Sequence, residues 1–263
     1  MKLSPKKSLG QNFLQDEKII NLIVESGNIN KKDLILEVGP GTGNLTQKLL
    51  EKTPKSLTVI EKDESLVNHL NLKFGNKINI INYDMMDISY DKYRNNDLII
   101  FGNLPYNIST QMLAKWIKMK NLDKFCKRFV LMFQKEVADR IIAKTNTKNY
   151  GRLSIISNWK FDIEKIMDIE PYCFNPAPKV NSTLLVFTPK KFFFEIKDPR
   201  NLEHVTNVFF SQRRKMIKKP LKILFKNYEE ISKKMSLKLS YRPQNLDNLT
   251  FYKICEFFEK SID

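Results

Sequence analysis

Seven short apolar runs, separated mostly by segments of helical period, dictate the architecture of this chain. The runs fall at residues 34–38, 57–61, 78–82, 98–101, 129–133, 153–159 and 183–187, and helical patterns fill most of the gaps, as at 44–51, 64–73, 111–119 and 135–144. Parallel neighbours need a crossover of a dozen residues or more, which a helix supplies. Strand–helix alternation therefore predicts an α/β fold, a seven-stranded, mostly parallel sheet with helices on both faces. Between the last two runs there is no long helix. Pro171, Pro176 and Pro178 lie there instead, which predicts a loop and an antiparallel final strand. Beyond Pro189-Lys190-Lys191 the pattern is helical over 201–263, with no comparable strand candidate. The expected division is a domain over 1–189 and a small α-helical domain over 190–263, sizes that 263 residues can support.

Charge points to the class of partner. The net charge is +16, from 45 Lys and Arg against 29 Asp and Glu. A lysine-rich codon bias would raise that figure without any functional meaning. Between Lys190 and Arg242, however, fifteen basic residues stand against five acidic ones, a concentration that favours a polyanion such as nucleic acid. Cys126, Cys173 and Cys255 form no CxxC pair and read as packing residues in a reduced, cytoplasmic setting. His69 and His204 are the only histidines, which argues against a His-based metal site and against a Ser-His-Asp triad. No run has the length of a membrane span, and Met1 to Asn12 lack the apolar core of a signal peptide.

Glu37-Val38-Gly39-Pro40-Gly41-Thr42-Gly43-Asn44 follows the first strand and opens a helix. Glycines there allow close backbone approach to a ligand and present N–H groups at a helix start. Glu61 ends the second strand, 22 positions after Gly39, where a carboxylate can take both hydroxyls of a ribose. Asp84 follows the third strand, placed to accept from an adenine amino group. Met85 and Met86 pack on that ring or simply fill core. A dinucleotide fingerprint would need Gly or Ala where Asn44 stands, and the lysine of a phosphate loop is absent. The set suits S-adenosylmethionine, whose cationic sulfonium needs no phosphate cradle.

Gly102-Asn103-Leu104-Pro105-Tyr106-Asn107-Ile108-Ser109-Thr110 follows the fourth run, at the carboxyl end of a strand. A side-chain oxygen from Asn103 and the carbonyl of Leu104 can accept the two N–H groups of an exocyclic amine. Pro105 fixes the turn and Tyr106 offers a flat face. An ordinary turn is the plain alternative.

Taken in order, these pieces resemble the ribosomal RNA adenine dimethyltransferases of the KsgA type. The resemblance begins at Lys7-Ser8-Leu9-Gly10-Gln11-Asn12-Phe13-Leu14 and continues through 37–46, 59–63, 82–87 and 102–110. It extends over 133–140 and 150–154, through Cys173-Phe174-Asn175-Pro176-Ala177-Pro178-Lys179-Val180-Asn181-Ser182, to Phe209-Phe210-Ser211-Gln212-Arg213-Arg214-Lys215. Arg242-Pro243-Gln244-Asn245-Leu246 departs from the family's Arg-x-Glu-x-Leu, which bears on local contacts and not on the chemistry.

The resemblance implies a Rossmann-like class I methyltransferase domain whose first fifteen residues cap the cofactor. It implies S-adenosylmethionine bound by Asn12, Leu14, Gly39, Gly41, Glu61, Asp84 and Asn103. Catalysis is expected at Asn103, Leu104, Pro105 and Tyr106, with Phe174 as the second aromatic face on the target base; a core position is the alternative for that ring. The implied substrate is small-subunit rRNA in the immature small ribosomal subunit, dimethylated at N6 of two adjacent adenosines near its 3′ end. Arg213, Arg214, Lys215, Lys218 and Lys219 are expected on a basic helix that meets phosphates, the alternative being a solvated helix face. A monomer with no metal and no membrane association is expected. Two other classes share parts of this pattern: the resistance dimethyltransferases of large-subunit rRNA, and assembly factors that bind ribosomal particles without catalysis. DNA adenine methyltransferases are more distant, because their motif usually reads Asp/Asn-Pro-Pro-Tyr.

Overall fold

The computed structural model describes residues 5–6, 9–88 and 98–262, the side chain of Asn107 excepted. Lys7 and Ser8, and the first four residues of the expected cap, lie outside the described residues. The chain divides into two compact units: Met1–Ala138 with Asp162–Lys190, and Asp139–Phe161 with Lys191–Asp263.

The first unit contains β1 (Phe13–Leu14), α1 (Glu17–Ser26), β2 (Leu34–Val38), α2 (Asn44–Glu51), β3 (Ser56–Glu61), α3 (Glu64–Phe74) and β4 (Asn79–Asn82). There follow β5 (Leu98–Gly102), α4 (Tyr106–Ile117), α5 (Leu122–Phe125), β6 (Arg128–Gln134) and α6 (Lys135–Ile141), whose last three residues belong to the second unit. After α7 (Arg152–Lys160) come β7 (Phe161–Ile169), β8 (Phe174–Asn175) and β9 (Ser182–Pro189). Seven strands form one sheet in the order β4-β3-β2-β5-β6-β9-β7. The β2–β3, β2–β5, β3–β4 and β5–β6 pairs are parallel, and β9 lies antiparallel to β6. Central strands of such a sheet are covered on both faces, so they read as unbroken apolar runs. All five residues of β5 are buried, whereas the edge strand β4 is not.

From β2 the chain winds through β3 and β4 to one side, then returns to add β5 and β6 on the other. The carboxyl ends of β2 and β5 thus flank the topological switch point, where open α/β sheets bind ligands. β2 and β5 are in register with Val38 opposite Gly102, so Gly39 and Asn103 leave the sheet side by side.

The run at 153–159, expected as a strand, is instead helix α7. A short segment with only Leu153, Ile155, Ile156 and Trp159 as apolar residues suits either state, and two tertiary bonds favour the helix: Ser154 Oγ donates to Arg140 O (2.6 Å) and Tyr252 Oη donates to Ile155 O (2.9 Å). The seventh strand of the sheet is β7, whose sequence Phe-Asp-Ile-Glu-Lys-Ile-Met-Asp-Ile hides it. β7 is an edge strand, and edges tolerate and even need outward charge.

The second unit holds α7 with α8 (Pro199–Phe210), α9 (Lys218–Leu224), α10 (Tyr228–Lys234) and α11 (Asn248–Ile262). Residues 139–161, expected within the first domain, belong to this unit. Its core centres on Leu202, Val205, Phe209, Phe251 and Ile254, with the Phe209 and Phe251 rings edge-on at 5.3 Å. No helix among the described residues is long and apolar enough to cross a membrane.

Candidate active site

The glycine turn after β2 requires glycine for two separate reasons. Gly39, Gly41 and Gly43 have φ of +72°, +57° and +79°, the left-handed region that side chains disfavour. A Cβ on Gly41 would also lie 2.8 Å from the ring of Phe13, which packs against the turn. A Cβ on Gly39 would sit 3.6 Å from the backbone oxygen of Asn103, which shows how closely the two strand ends approach. Beside them opens a cleft of about 270 Å³. Its wall draws on the cap at Leu9–Leu14, the glycine turn, Glu61, Asp84–Met86 and Asn103–Tyr106.

Three carboxyl groups reach this wall in different states. Glu61, at the end of β3, is 8% exposed, accepts from Asp63 N (2.9 Å) and lies 3.4 Å from Gly41 N. Burial raises its pKa, and these backbone N–H groups oppose the rise. Glu37, at 2% exposure, accepts from the Thr46 hydroxyl at 2.7 Å. Burial pushes it up to about 8, so it is mostly neutral at pH 7. Asp84 is bonded to Lys62 Nζ (2.7 Å) and Met86 N (2.8 Å), and the lysine holds its carboxyl below the ordinary range. Each oxygen keeps a second lone pair for another donor.

The cap is tied to the body of the unit at several points. Asn44 Nδ2 donates to Leu14 O (2.8 Å), and Asn103 Nδ2 donates to Asn12 O (3.1 Å). β1 pairs antiparallel with β8, Phe13 opposite Asn175 and Leu14 opposite Phe174. Lys6 Nζ (2.7 Å) and Gln11 Nε2 (3.0 Å) both reach Asp63, the N-cap of α3. Burial opposes ionisation of Asp63, yet the bonds from Lys6, Ser65 and Gln11 outweigh it and hold its pKa at about 2. Asp63 was not among the expected site residues. Its only signal in the sequence is an aspartate directly before a helical pattern.

Asn103 continues β5 and Pro105 caps α4, so that Tyr106 is the first helical residue. The bond to Asn12 commits the NH₂ end of the Asn103 carboxamide and leaves Oδ1 as its acceptor. Leu104 is buried at 1%, and Tyr106 lines the cleft with its hydroxyl 2.6 Å from Ser182 Oγ. Burial raises the Tyr106 phenol above its ordinary value. Of the expected site residues, Asn12, Leu14, Gly39, Gly41, Glu61, Asp84, Asn103, Leu104, Pro105 and Tyr106 all line the one cleft. Phe174, expected beside the base, does not. It is 4% exposed and packs in the apolar core with Leu14, the residue opposite it in the β1–β8 pair.

In the second unit the basic segment is not one helix: residues 211–215 form turns between α8 and α9. Arg214, Lys215, Lys218 and Lys219 are exposed. Arg213 is half-buried, its Nη2 donating to Thr147 O (3.1 Å) and its Nε to Gln244 Oε1 (3.3 Å). Among the described residues no group of three or more His, Cys, Asp or Glu is placed to hold a metal ion.

The family described as "Ribosomal RNA adenine dimethylase" matches residues 2–260. The chain belongs to this family. The "Ribosomal RNA small subunit methyltransferase A" of Pelagibacter ubique (strain HTCC1062) is 50% identical over 259 residues, covering 98% of each chain. Among solved structures, a dimethyladenosine transferase from Plasmodium falciparum superposes with a TM-score of 0.79 at 27% identity, over 94% of this chain and 98% of that one. The 23S rRNA methyltransferase ErmE shares the fold at 22% identity, with a TM-score of 0.70 over 93% of this chain and all of its own. The cosubstrate is S-adenosylmethionine, and the cleft has acceptors for a nucleoside: the carboxyl groups of Glu61 and Asp84 stand on its wall beside the glycine turn.

Proposed function

We propose that this protein transfers methyl groups from S-adenosylmethionine to N6 of two adjacent adenosines near the 3′ end of small-subunit rRNA. The carrying observation is the Asn103 carboxamide, held by Asn12 O at the carboxyl end of β5 beside the glycine turn. The curated relative from Pelagibacter supports the choice of small-subunit rRNA by its name.

S-adenosylmethionine supplies an electrophilic methyl group on sulfur. The remaining work falls to the chain. The N6 lone pair of adenine is delocalised into the ring and is a poor nucleophile. Asn103 Oδ1 and Leu104 O accept hydrogen bonds from the N6 amine and draw the nitrogen towards tetrahedral geometry; once methylated, that nitrogen is cationic and releases a proton to water. Tyr106 presents its ring to the base, worth about 1–3 kcal/mol by stacking against a few kcal/mol for unstacking an adenine. Placement of this kind is worth ~7–11 kcal/mol as effective molarity. Glu37 keeps its proton and its bond to Thr46, so it serves as a neutral wall and not as a base. Phe174 supports the cap from behind and would face the base only after leaving its core position. Arg214, Lys215, Lys218 and Lys219 meet phosphates, whereas Arg213 braces the turn that carries them. The substrate is the immature small subunit in the cytoplasm, and the enzyme acts as a monomer.

The test is transfer of labelled methyl to purified ribosomal particles from a strain lacking the modification, resolved by rRNA and by nucleoside. N6,N6-dimethyladenosine in small-subunit rRNA is the expected product. Label in large-subunit rRNA, or tight particle binding without label, would overturn the proposal.

A further inference from the structure

Tyr106 is tethered at both ends. Its backbone opens α4 behind Pro105, whose carbonyl accepts from Ile108 N (3.1 Å) and Ser109 N (3.2 Å). Its hydroxyl meets Ser182 Oγ at 2.6 Å, the short end of the range for paired hydroxyls. Ser182 is fully buried at the start of β9, in register with Gln134 of β6. The next residue, Thr183, is pinned in turn by a bond from its hydroxyl to Asp168 Oδ1 (2.7 Å). One end of the ring is therefore fixed by a helix start and the other by a strand of the central sheet.

A tyrosine side chain has two rotatable torsions, and a hydrogen bond at its tip removes most of the freedom that a packed ring on a cleft wall retains. A face that stacks on a base must hold its plane closely, because a small tilt displaces N6 from the two acceptors at Asn103 and Leu104. We propose that Ser182 is a positioning residue for methyl transfer, fixing the plane of the Tyr106 ring through the shared hydroxyl bond. This rests on the reading that Tyr106 faces the target adenine. Ser182 touches neither cosubstrate nor base in this role; among the described residues it stands outside the cleft wall. It acts only through Tyr106.

A double-mutant cycle tests the inference. The variants are Ser182→Ala, Tyr106→Phe and the double variant, with Tyr106→Ala as the reference for the ring itself. kcat and KM for small-subunit particles are measured separately, and S-adenosylmethionine affinity is measured by calorimetry. Each single variant should lower kcat about tenfold, the equivalent of one hydrogen bond of ~1.4 kcal/mol. S-adenosylmethionine affinity should stay unchanged, and the double variant should be no worse than either single one. Additive losses would overturn the inference, as would a parallel fall in cosubstrate affinity, because either would mean that Ser182 acts on its own. Wild-type kcat in Ser182→Ala and Tyr106→Phe, with loss in Tyr106→Ala, would overturn the positioning role alone. Wild-type turnover in Tyr106→Ala would remove the base-facing role and the inference together.

Discussion

The side-chain nitrogen of Asn103 donates to the backbone oxygen of Asn12 across 3.1 Å, joining two residues 91 positions apart. The bond does two things at once. It pins the cap over the cleft, and by holding the NH₂ end it orients Oδ1, the single acceptor atom of the Asn103 side chain. Formation of the cap and orientation of the acceptor are therefore one event.

Asn103→Asp and Asn103→Ala separate these roles. The aspartate keeps an oxygen but sets a negative charge against the Asn12 carbonyl, which has no proton to offer. We expect faster amide hydrogen exchange over residues 9–15 in the aspartate variant, with methyl transfer lowered at least about a hundredfold. The alanine variant should bind S-adenosylmethionine more weakly yet detectably, and transfer methyl poorly. Wild-type turnover in either variant would remove Asn103 from the mechanism.

Gly41→Ala tests the close approach of the cap. Its Cβ would lie 2.8 Å from the Phe13 ring at a φ of +57°, a conformation that costs a side chain about 1–2 kcal/mol. S-adenosylmethionine affinity should fall about tenfold or more by titration calorimetry. Adding Phe13→Ala should recover the part of the loss that comes from the clash, and not the part that comes from φ.

Much of this arrangement could be read from sequence because its strands are central. Ile99, Ile100 and Phe101 in β5 form an unbroken buried apolar run, and Ile35, Leu36 and Val38 in β2 form one interrupted only by the buried Glu37. The glycine turn and Asn103–Tyr106 follow those two runs directly, whereas the cap at Leu9–Leu14, which also lines the cleft, has no such mark in the sequence and is expected only from the family resemblance. β7 escaped because an edge strand carries charge, and 153–159 misled because a short apolar run has no period of its own. Arg213 and Arg214 are adjacent and chemically alike; only the neighbours Thr147 and Gln244, far along the chain, make the first a brace and leave the second exposed. Phe174 and Tyr106 present the same difficulty, since an aromatic residue beside prolines reads equally as core or as a face.

Glu37 should give stability a pH dependence of definite sign. Its carboxyl titrates near 8 in the folded protein, against an ordinary value of 4.5. Between those values the folded state binds the proton and the unfolded state does not, so stability falls as pH rises, by up to about 1.4 kcal/mol per pH unit. Above 8 the penalty is complete, and below 4.5 it is absent. Glu37→Gln retains an oxygen to accept from Thr46 and carries no charge. Its stability relative to wild type should improve steadily from pH 5 to pH 8 in urea titrations and then level off. A difference that does not vary with pH would mean that Glu37 is ionised in the fold.

The basic turn of the second unit should split into two kinds of residue. Arg214, Lys215, Lys218 and Lys219 are exposed, so changing all four to serine should leave the melting temperature nearly unaltered. RNA affinity should drop, and the slope of log K against log salt should become shallower by about 0.7–0.9 for each phosphate that is no longer neutralised. Arg213→Ala should behave in the opposite way. It removes bonds to Thr147 O and Gln244 Oε1, each worth about 1 kcal/mol, and should lower the melting temperature by about 2–4 °C per bond with little change in the salt slope. A salt slope unaffected by the fourfold change would show that these side chains are a solvated surface and that the polyanion meets the protein elsewhere.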